Sequence, residues 1–105
     1  MENIGIYQIE NTENDKIYVG SAINIQGRWR VHKSDLNRNQ HHSSYLQRAW
    51  NKYGSNSFKF TVLEAISDKS LLIKTEQKYI DFMLPEYNMC KFAGSQLGFK
   101  NSEKS

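Results

Sequence analysis

Glu76 holds the position in this 105-residue chain that most needs a chemical explanation. Leu72, Tyr79, Ile80 and Met83 recur at helical spacing between about Lys69 and Phe82, and Glu76 falls at the centre of that apolar stripe. A carboxylate on a core-facing stripe must be paired, neutralised or bound to a cation, because burying it bare costs too much. A salt bridge to Arg28 is one solution and a metal ion is another. Arg28 and His32 lie one turn apart in an earlier helical stretch, where Ile25, Trp29, His32 and Leu36 form the apolar stripe and Arg28 stands at its edge. Tyr7 and Tyr18 add two phenols, each within a short run rich in Ile, Val and Tyr. Together these groups suit hydrolysis of a phosphodiester. A cation held by Glu76 can stabilise the leaving oxygen, Arg28 can neutralise charge developing on phosphate, and a phenol or imidazole can deprotonate water. One carboxylate plus waters suits Mg²⁺ (or Mn²⁺), since such hard ions keep much of their hydration when bound. No His/Cys pattern has zinc spacing, and no glycine-rich loop has the phosphate-cradling spelling.

The elements that must position these groups are legible in chain order. Gly5 to Gly20 reads as a β-hairpin, with the polar segment Asn11-Thr12-Glu13-Asn14-Asp15 closing it. We expect Tyr7 to pair with Tyr18 and Ile9 with Lys16, which sets the two phenols side by side on one face. Gly5 and Gly20 then share one end of the hairpin, where glycine marks a close approach of backbone or ligand. Asn24 is expected to cap a helix running to about Leu36. After a polar loop, Ser44-Tyr45-Leu46-Gln47 has capping-box spacing and opens a second helix with Leu46, Ala49, Trp50 and Tyr53 as its stripe and Gly54 as its stop. Phe58 to Ile66 reads as a third strand with Phe58, Phe60 and Val62 on one side. The last helix follows Ser67-Asp68, and Pro85 lies beyond its end.

Length bounds the chain to one domain with a modest core. No apolar run approaches a membrane span, the opening Met1-Glu2-Asn3 is unlike a signal peptide, and the lone Cys90 fits a reducing cytosol. Cys90 is expected to be a small buried side chain. Net charge is only +3, but its distribution is uneven. Arg28, Arg30, Lys33, Arg38, Arg48 and Lys52 fall between Gln26 and Lys52 against the single acid Asp35, interleaved with His32, His41, His42, Trp29 and Trp50. A basic, aromatic segment of that kind is expected to meet a polyanion, with Arg30, Lys33, Arg38, Arg48 and Lys52 as contacts.

The spelling Gly5-Ile6-Tyr7, then Tyr18-Val19-Gly20 ten residues on, resembles the two-part signature of the GIY-YIG nuclease family. The likeness runs from residue 4 to about residue 90. It takes in Ser21, Arg28, His32, Glu76-Gln77-Lys78-Tyr79-Ile80 and Tyr87-Asn88, and looks closest to the catalytic domains of phage and intron-encoded homing endonucleases. Asn11-Thr12, Leu46-Gln47-Arg48 and Asn51-Lys52-Tyr53-Gly54 have likenesses there as well. The resemblance implies an α+β fold, a small three-stranded antiparallel sheet flanked by three helices in the order ββααβα. It implies that Glu76 is the metal ligand and Arg28 the catalytic arginine, with Tyr7 and Tyr18 as the signature phenols. His32 and Asn88 match the accompanying polar residues, and Ser21 and His41 are further candidates. Family members acting in DNA repair often carry lysine where this chain has Ser21, which favours the homing or restriction branch. The water-activating base stays open among Tyr18, Tyr7 and His32.

The reading is therefore a divalent-metal-dependent endonuclease acting on double-stranded DNA in the cytoplasm, as a monomer or as a dimer on DNA. Residues 1–92 would be the catalytic domain, and the Gly-, Ser- and Lys-rich residues 93–105 a flexible tail or linker toward a separate DNA-binding domain. The competing reading is a catalytically silent nucleic-acid-binding module that uses the basic helical face. Against it, such a module gains nothing from a buried anion near phosphate.

Overall fold

The computed structural model describes residues 4–89, so Cys90 and the tail at 93–105 lie outside the described residues. Strands β1 (Gly5–Asn11) and β2 (Ile17–Ala22) lead to helices α1 (Ile25–Asn37) and α2 (Ser44–Tyr53), then to β3 (Phe58–Ala65) and α3 (Leu72–Met83). The order ββααβα is the one expected. The strands form an antiparallel sheet in the order β2-β1-β3, with β1 central.

Both faces of the sheet are covered, and that explains the composition of β1. Tyr7, Ile9 and Tyr18 pack with Ile25 and Leu36 of α1 and with Leu46, Ala49 and Trp50 of α2. Ile4, Ile6, Ile17 and Val19, on the opposite face, pack with Leu72 and Ile80 of α3. A central strand between two layers has no solvent face, so its apolar residues need not alternate with polar ones. Among the described residues no helix is long and apolar enough to cross a membrane.

The hairpin register differs from the expected one by two residues. Tyr7 lies opposite Gly20 and Ile9 opposite Tyr18. The cause is Asn11, a buried member of β1 rather than of the loop. Its N–H donates to the Lys16 carbonyl at 2.9 Å, and its side-chain amide donates to the Tyr87 hydroxyl at 3.1 Å. The loop moves to Thr12–Lys16, turned by a left-handed Asp15 at φ 64°. The phenols stay on one face but stand diagonally.

The third strand ends at Ala65, and a register shift opposite Ile6 and Tyr7 leaves Leu63 unpaired in the ladder. Phe58 and Phe60 cover the face that carries Tyr7, whereas Val62 is exposed. Asn24 caps α1 as expected. The cap of α2 is Ser43, not Ser44: Ser43 Oγ accepts from Leu46 N–H at 3.2 Å and donates to the Tyr87 carbonyl at 2.6 Å. Tyr53 lies at the rim of the α2 stripe, half out in solvent beneath Lys52.

Candidate active site

Three elements converge on the end of β2. The short link Ile23–Asn24 turns the chain straight into α1, which brings Arg28 and Val31 alongside Ser21. From the other side α3 presents Leu72, Ile73 and Glu76. The result is a cavity of about 550 Å³ with Ser21, Asn24, Arg28 and Glu76 as its polar lining and Ile23, Val31, Leu72 and Ile73 as its apolar walls.

Glu76 is 2% exposed, as its place on the stripe requires. Ser21 Oγ donates to its Oε1 in a short bond of 2.5 Å. Burial raises the carboxyl above its usual range, while the Ser21 hydroxyl and the Arg28 charge pull it down. The salt bridge to Arg28 is not the solution adopted: among the described residues the ion pair formed is Arg38–Asp35, at 3.2 Å on the surface. Arg28 instead shares the cavity with Glu76 and acts on it through space.

Tyr7 approaches Arg28 from the opposite face of the sheet. A Cβ on Gly20 would stand 2.5 Å from the Tyr7 hydroxyl oxygen, so glycine is what lets the phenol lie across β2. Arg28 stands beside that hydroxyl. Burial pushes the Tyr7 and Tyr18 hydroxyls well above their ordinary values, with the Arg28 charge working against it in both.

Behind the phenols the structure gathers three histidines. His32 Nε2 is 2.7 Å from the Tyr7 oxygen, and His32 Nδ1 is 2.7 Å from His41 Nε2. Tyr18 bonds His42 Nε2 at 3.0 Å. The His41 ring stacks on both His32 and His42. Burial first, then the charges of its neighbours, depresses His32 to about 2 and His41 to about 4, and lowers His42 as well. These rings are neutral at physiological pH. They bond phenols and one another, and among the described residues no three His, Cys, Asp or Glu side chains are arranged to share a metal ion.

The remaining candidates are placed differently. Asn88 spends its amide on the β2 backbone, accepting from Val19 N–H and donating to the Val19 carbonyl, both at 2.9 Å. It braces the free edge of β2 rather than lining the cavity. None of Arg30, Lys33, Arg38, Arg48 and Lys52 lines the cavity either. Arg30 projects two residues round the helix from Arg28, and Lys33 caps the Phe60 ring at 4.9 Å. Arg48 lies over Tyr45 at 5.5 Å and Lys52 over Tyr53 at 5.4 Å, giving α2 an exposed face of alternating cations and aromatics. The sequence did not single out His42, Ser43 or Gln47 as site residues. Gln47 accepts from His41 N–H at 3.0 Å and donates to the Leu36 carbonyl at 2.9 Å, fixing the α1–α2 loop that carries both histidines. A buried glutamine on the apolar side of a helix was the available signal.

Residues 3–88 match the GIY-YIG catalytic domain. The chain belongs to the GIY-YIG family. The chain is similar to intron-associated and intron-encoded endonucleases. It is 42% identical over 95 residues to intron-associated endonuclease 1 of Enterobacteria phage T4, a match covering 90% of this chain and 38% of that protein. It is 33% identical over 109 residues to a probable intron-encoded endonuclease 1 of Neurospora crassa, covering 96% of this chain and 34% of that protein. Among solved structures, the catalytic domain of the homing endonuclease I-TevI superposes with a TM-score of 0.76 at 41% identity, covering 83% of this chain and 98% of that one. A mutant of the same catalytic domain gives 0.77, also at 41% identity, over 87% and 96% of the two chains. The chain thus spans little more than a third of the curated GIY-YIG relatives and nearly all of the isolated catalytic domain.

Proposed function

We propose that this GIY-YIG domain hydrolyses phosphodiester bonds of double-stranded DNA, with Glu76 holding a divalent cation, Mg²⁺ or Mn²⁺. The observation that carries the reading is a carboxylate 2% exposed that faces an open cavity and Arg28 without an ion pair. The donor set fits such an ion: one carboxylate and one hydroxyl beside a space large enough for bound water suit a hard cation that keeps its hydration. When bound, the ion would act as Lewis acid toward the leaving oxygen.

The protein supplies the rest. Ser21 fixes the rotamer of Glu76. Arg28, at the same cavity, presents a planar fork to phosphate oxygens as charge grows on them. Tyr7, held across Gly20, and Tyr18 beside it are the hydroxyls that, once deprotonated, would take a proton from water. Asn88 keeps β2 straight beneath them. Arg30, Lys33, Arg38, Arg48 and Lys52 give sequence-independent contacts to flanking phosphates, with the Tyr45 and Tyr53 faces beside them. The fraction of each relative that is matched supports a separate DNA-binding region in a longer protein, acting in the cytoplasm of a bacterial or phage-infected cell.

Plasmid nicking with and without Mg²⁺ tests the reading on Glu76→Ala. We expect cleavage to vanish while DNA binding survives. A variant retaining more than about a hundredth of the wild-type rate would refute the metal-holding role, given what a catalytic metal contributes.

A further inference from the structure

The hydrogen bonds behind Tyr7 form a continuous chain whose far end is not a side chain. Ser43 N–H lies 3.0 Å from His41 Nδ1, His41 Nε2 lies 2.7 Å from His32 Nδ1, and His32 Nε2 lies 2.7 Å from the Tyr7 oxygen. Two of these contacts, taken singly, leave the proton's place undecided, because an imidazole nitrogen can donate or accept. The third does not. A backbone amide only donates, so His41 Nδ1 carries a lone pair. The proton of His41 is then on Nε2 and is donated to His32 Nδ1. His32 Nδ1 therefore accepts, the proton of His32 is on Nε2, and that proton points at the Tyr7 oxygen. A second proton on either ring would set donor against donor, at Ser43 for His41 and at His41 for His32. The depressed pKa values of both rings agree with this neutrality.

We infer that the Ser43 amide sets the direction of the chain Ser43→His41→His32→Tyr7, which makes His41 a positioning residue for the phenol and leaves the Tyr7 hydroxyl proton for an acceptor other than His32. Three consequences follow for the base left open by the sequence. His32 has no free lone pair in this arrangement, so it does not take the proton of a nucleophilic water. The Tyr7 oxygen receives the His32 N–H on one side and faces the Arg28 cation on another, and both work against the burial that holds this hydroxyl well above its ordinary value. The hydroxyl's own proton is directed away from His32. The anchor itself is held firmly: Ser43 is buried, caps α2 and bonds the Tyr87 carbonyl, while Gln47 holds the His41 N–H. The word catalytic for Tyr7 rests on the function proposed above. The direction of the chain does not.

The test is made on the full chain labelled with ¹⁵N at histidine. Long-range ¹H–¹⁵N spectra should show His32 and His41 both protonated on Nε2, and the His41 Nε2 proton should couple across the hydrogen bond to His32 Nδ1. A proton on Nδ1 of either ring, or no coupling between the two, overturns the inference whether or not the protein cuts DNA. Kinetics supply the second arm. His41→Asn keeps an acceptor for Ser43 N–H but removes the donor to His32, whereas His41→Gln sets an amide donor where Nε2 was. We expect His41→Asn to lower kcat at least about tenfold with KM for DNA little changed, the scale seen when an orienting partner is lost, and His41→Gln to recover most of it. His41→Asn turning over like wild type, or His41→Gln failing as badly as His41→Asn, would show that the ring only packs.

Discussion

Mild acid should destabilise this domain steeply, and the size of the effect follows from the histidine chain. The ordinary value for His32 and His41 is 6.5, and the fold holds them at about 2 and about 4. The side chains facing them are Tyr7, Tyr18, His42, Arg28 and Asp35, and among these charges Asp35 favours a proton on His41. The unfolded chain therefore binds protons first as pH falls. The stability these rings contribute is complete above 6.5 and is lost progressively below it. Each pH unit below that point costs about 1.4 kcal/mol per ring, so at about pH 5.5 the two together remove roughly 3 kcal/mol. That is a large share of the roughly 5–15 kcal/mol that holds a small domain folded. His42 is more exposed, and its shift adds to the loss in the same direction. Glu76 opposes it, because its raised carboxyl takes a proton in the folded state first. The assay therefore belongs in a Glu76→Gln background, followed by urea unfolding at about pH 7.5 and 5.5 with far-UV circular dichroism. The midpoint should fall with the slope m unchanged, and the pH derivative should report uptake of about two protons on unfolding. Equal midpoints at the two pH values would mean that His32 and His41 accept protons freely in the fold, and the buried neutral chain would be refuted.

Other outcomes are equally open to measurement. Arg28→Lys should be nearly as damaging to cleavage as Arg28→Ala, because a point charge does not reproduce a planar fork on phosphate; near-normal turnover of the lysine variant would reduce Arg28 to generic charge. Gly5→Ala would set a Cβ 2.3 Å from the Glu64 carbonyl oxygen, where only movement of β3 relieves it, so a loss of about 1–3 kcal/mol in urea unfolding is expected. Gly20→Ala meets the buried Tyr7 hydroxyl instead, and should abolish cleavage at a smaller cost in stability; an active variant would detach Tyr7 from the chemistry. The domain alone should bind DNA in the non-specific range of about 10⁻⁴ to 10⁻⁶ M with strong salt dependence. A thousandfold preference for one long site would show that it carries its own targeting.

The sequence announced what depends on period and spelling. Helix stripes placed Glu76, His32 and Leu36 correctly because burial and a 3.6-residue repeat leave few alternatives. It misplaced what depends on one hydrogen bond. Nothing in the spelling of Asn11 says that its side chain meets Tyr87, 76 positions away, yet that contact extends β1 and shifts the register. Ser43 and Ser44 are equivalent as cap formers until the Tyr87 carbonyl selects Ser43. The same holds for the basic segment: its charge is real, but helix geometry turns Arg30 and Lys33 away from the cavity that Arg28 enters.

The two-residue shift in register also explains why both halves of the site can meet. Glu76 comes from the layer of α3, and the phenols and histidines come from the layer of α1 and α2, with the sheet between them. Successive strand residues face opposite layers, so Gly20 faces the phenols and Ser21 faces α3. Gly20 has no side chain, and the Tyr7 hydroxyl occupies the space a Cβ would take. Ser21 points the other way and bonds Glu76. Had Tyr7 stood opposite Tyr18, as the simpler hairpin would have it, its hydroxyl would not lie against Gly20 and no path across β2 would exist. β2 is an edge strand, so Arg28 can reach round it from α1 and complete the cavity without passing through the sheet. The glycine and the serine that follow the second tyrosine are thus the point where one layer supplies the phenol and the other the carboxylate, and the cleft opens where they adjoin.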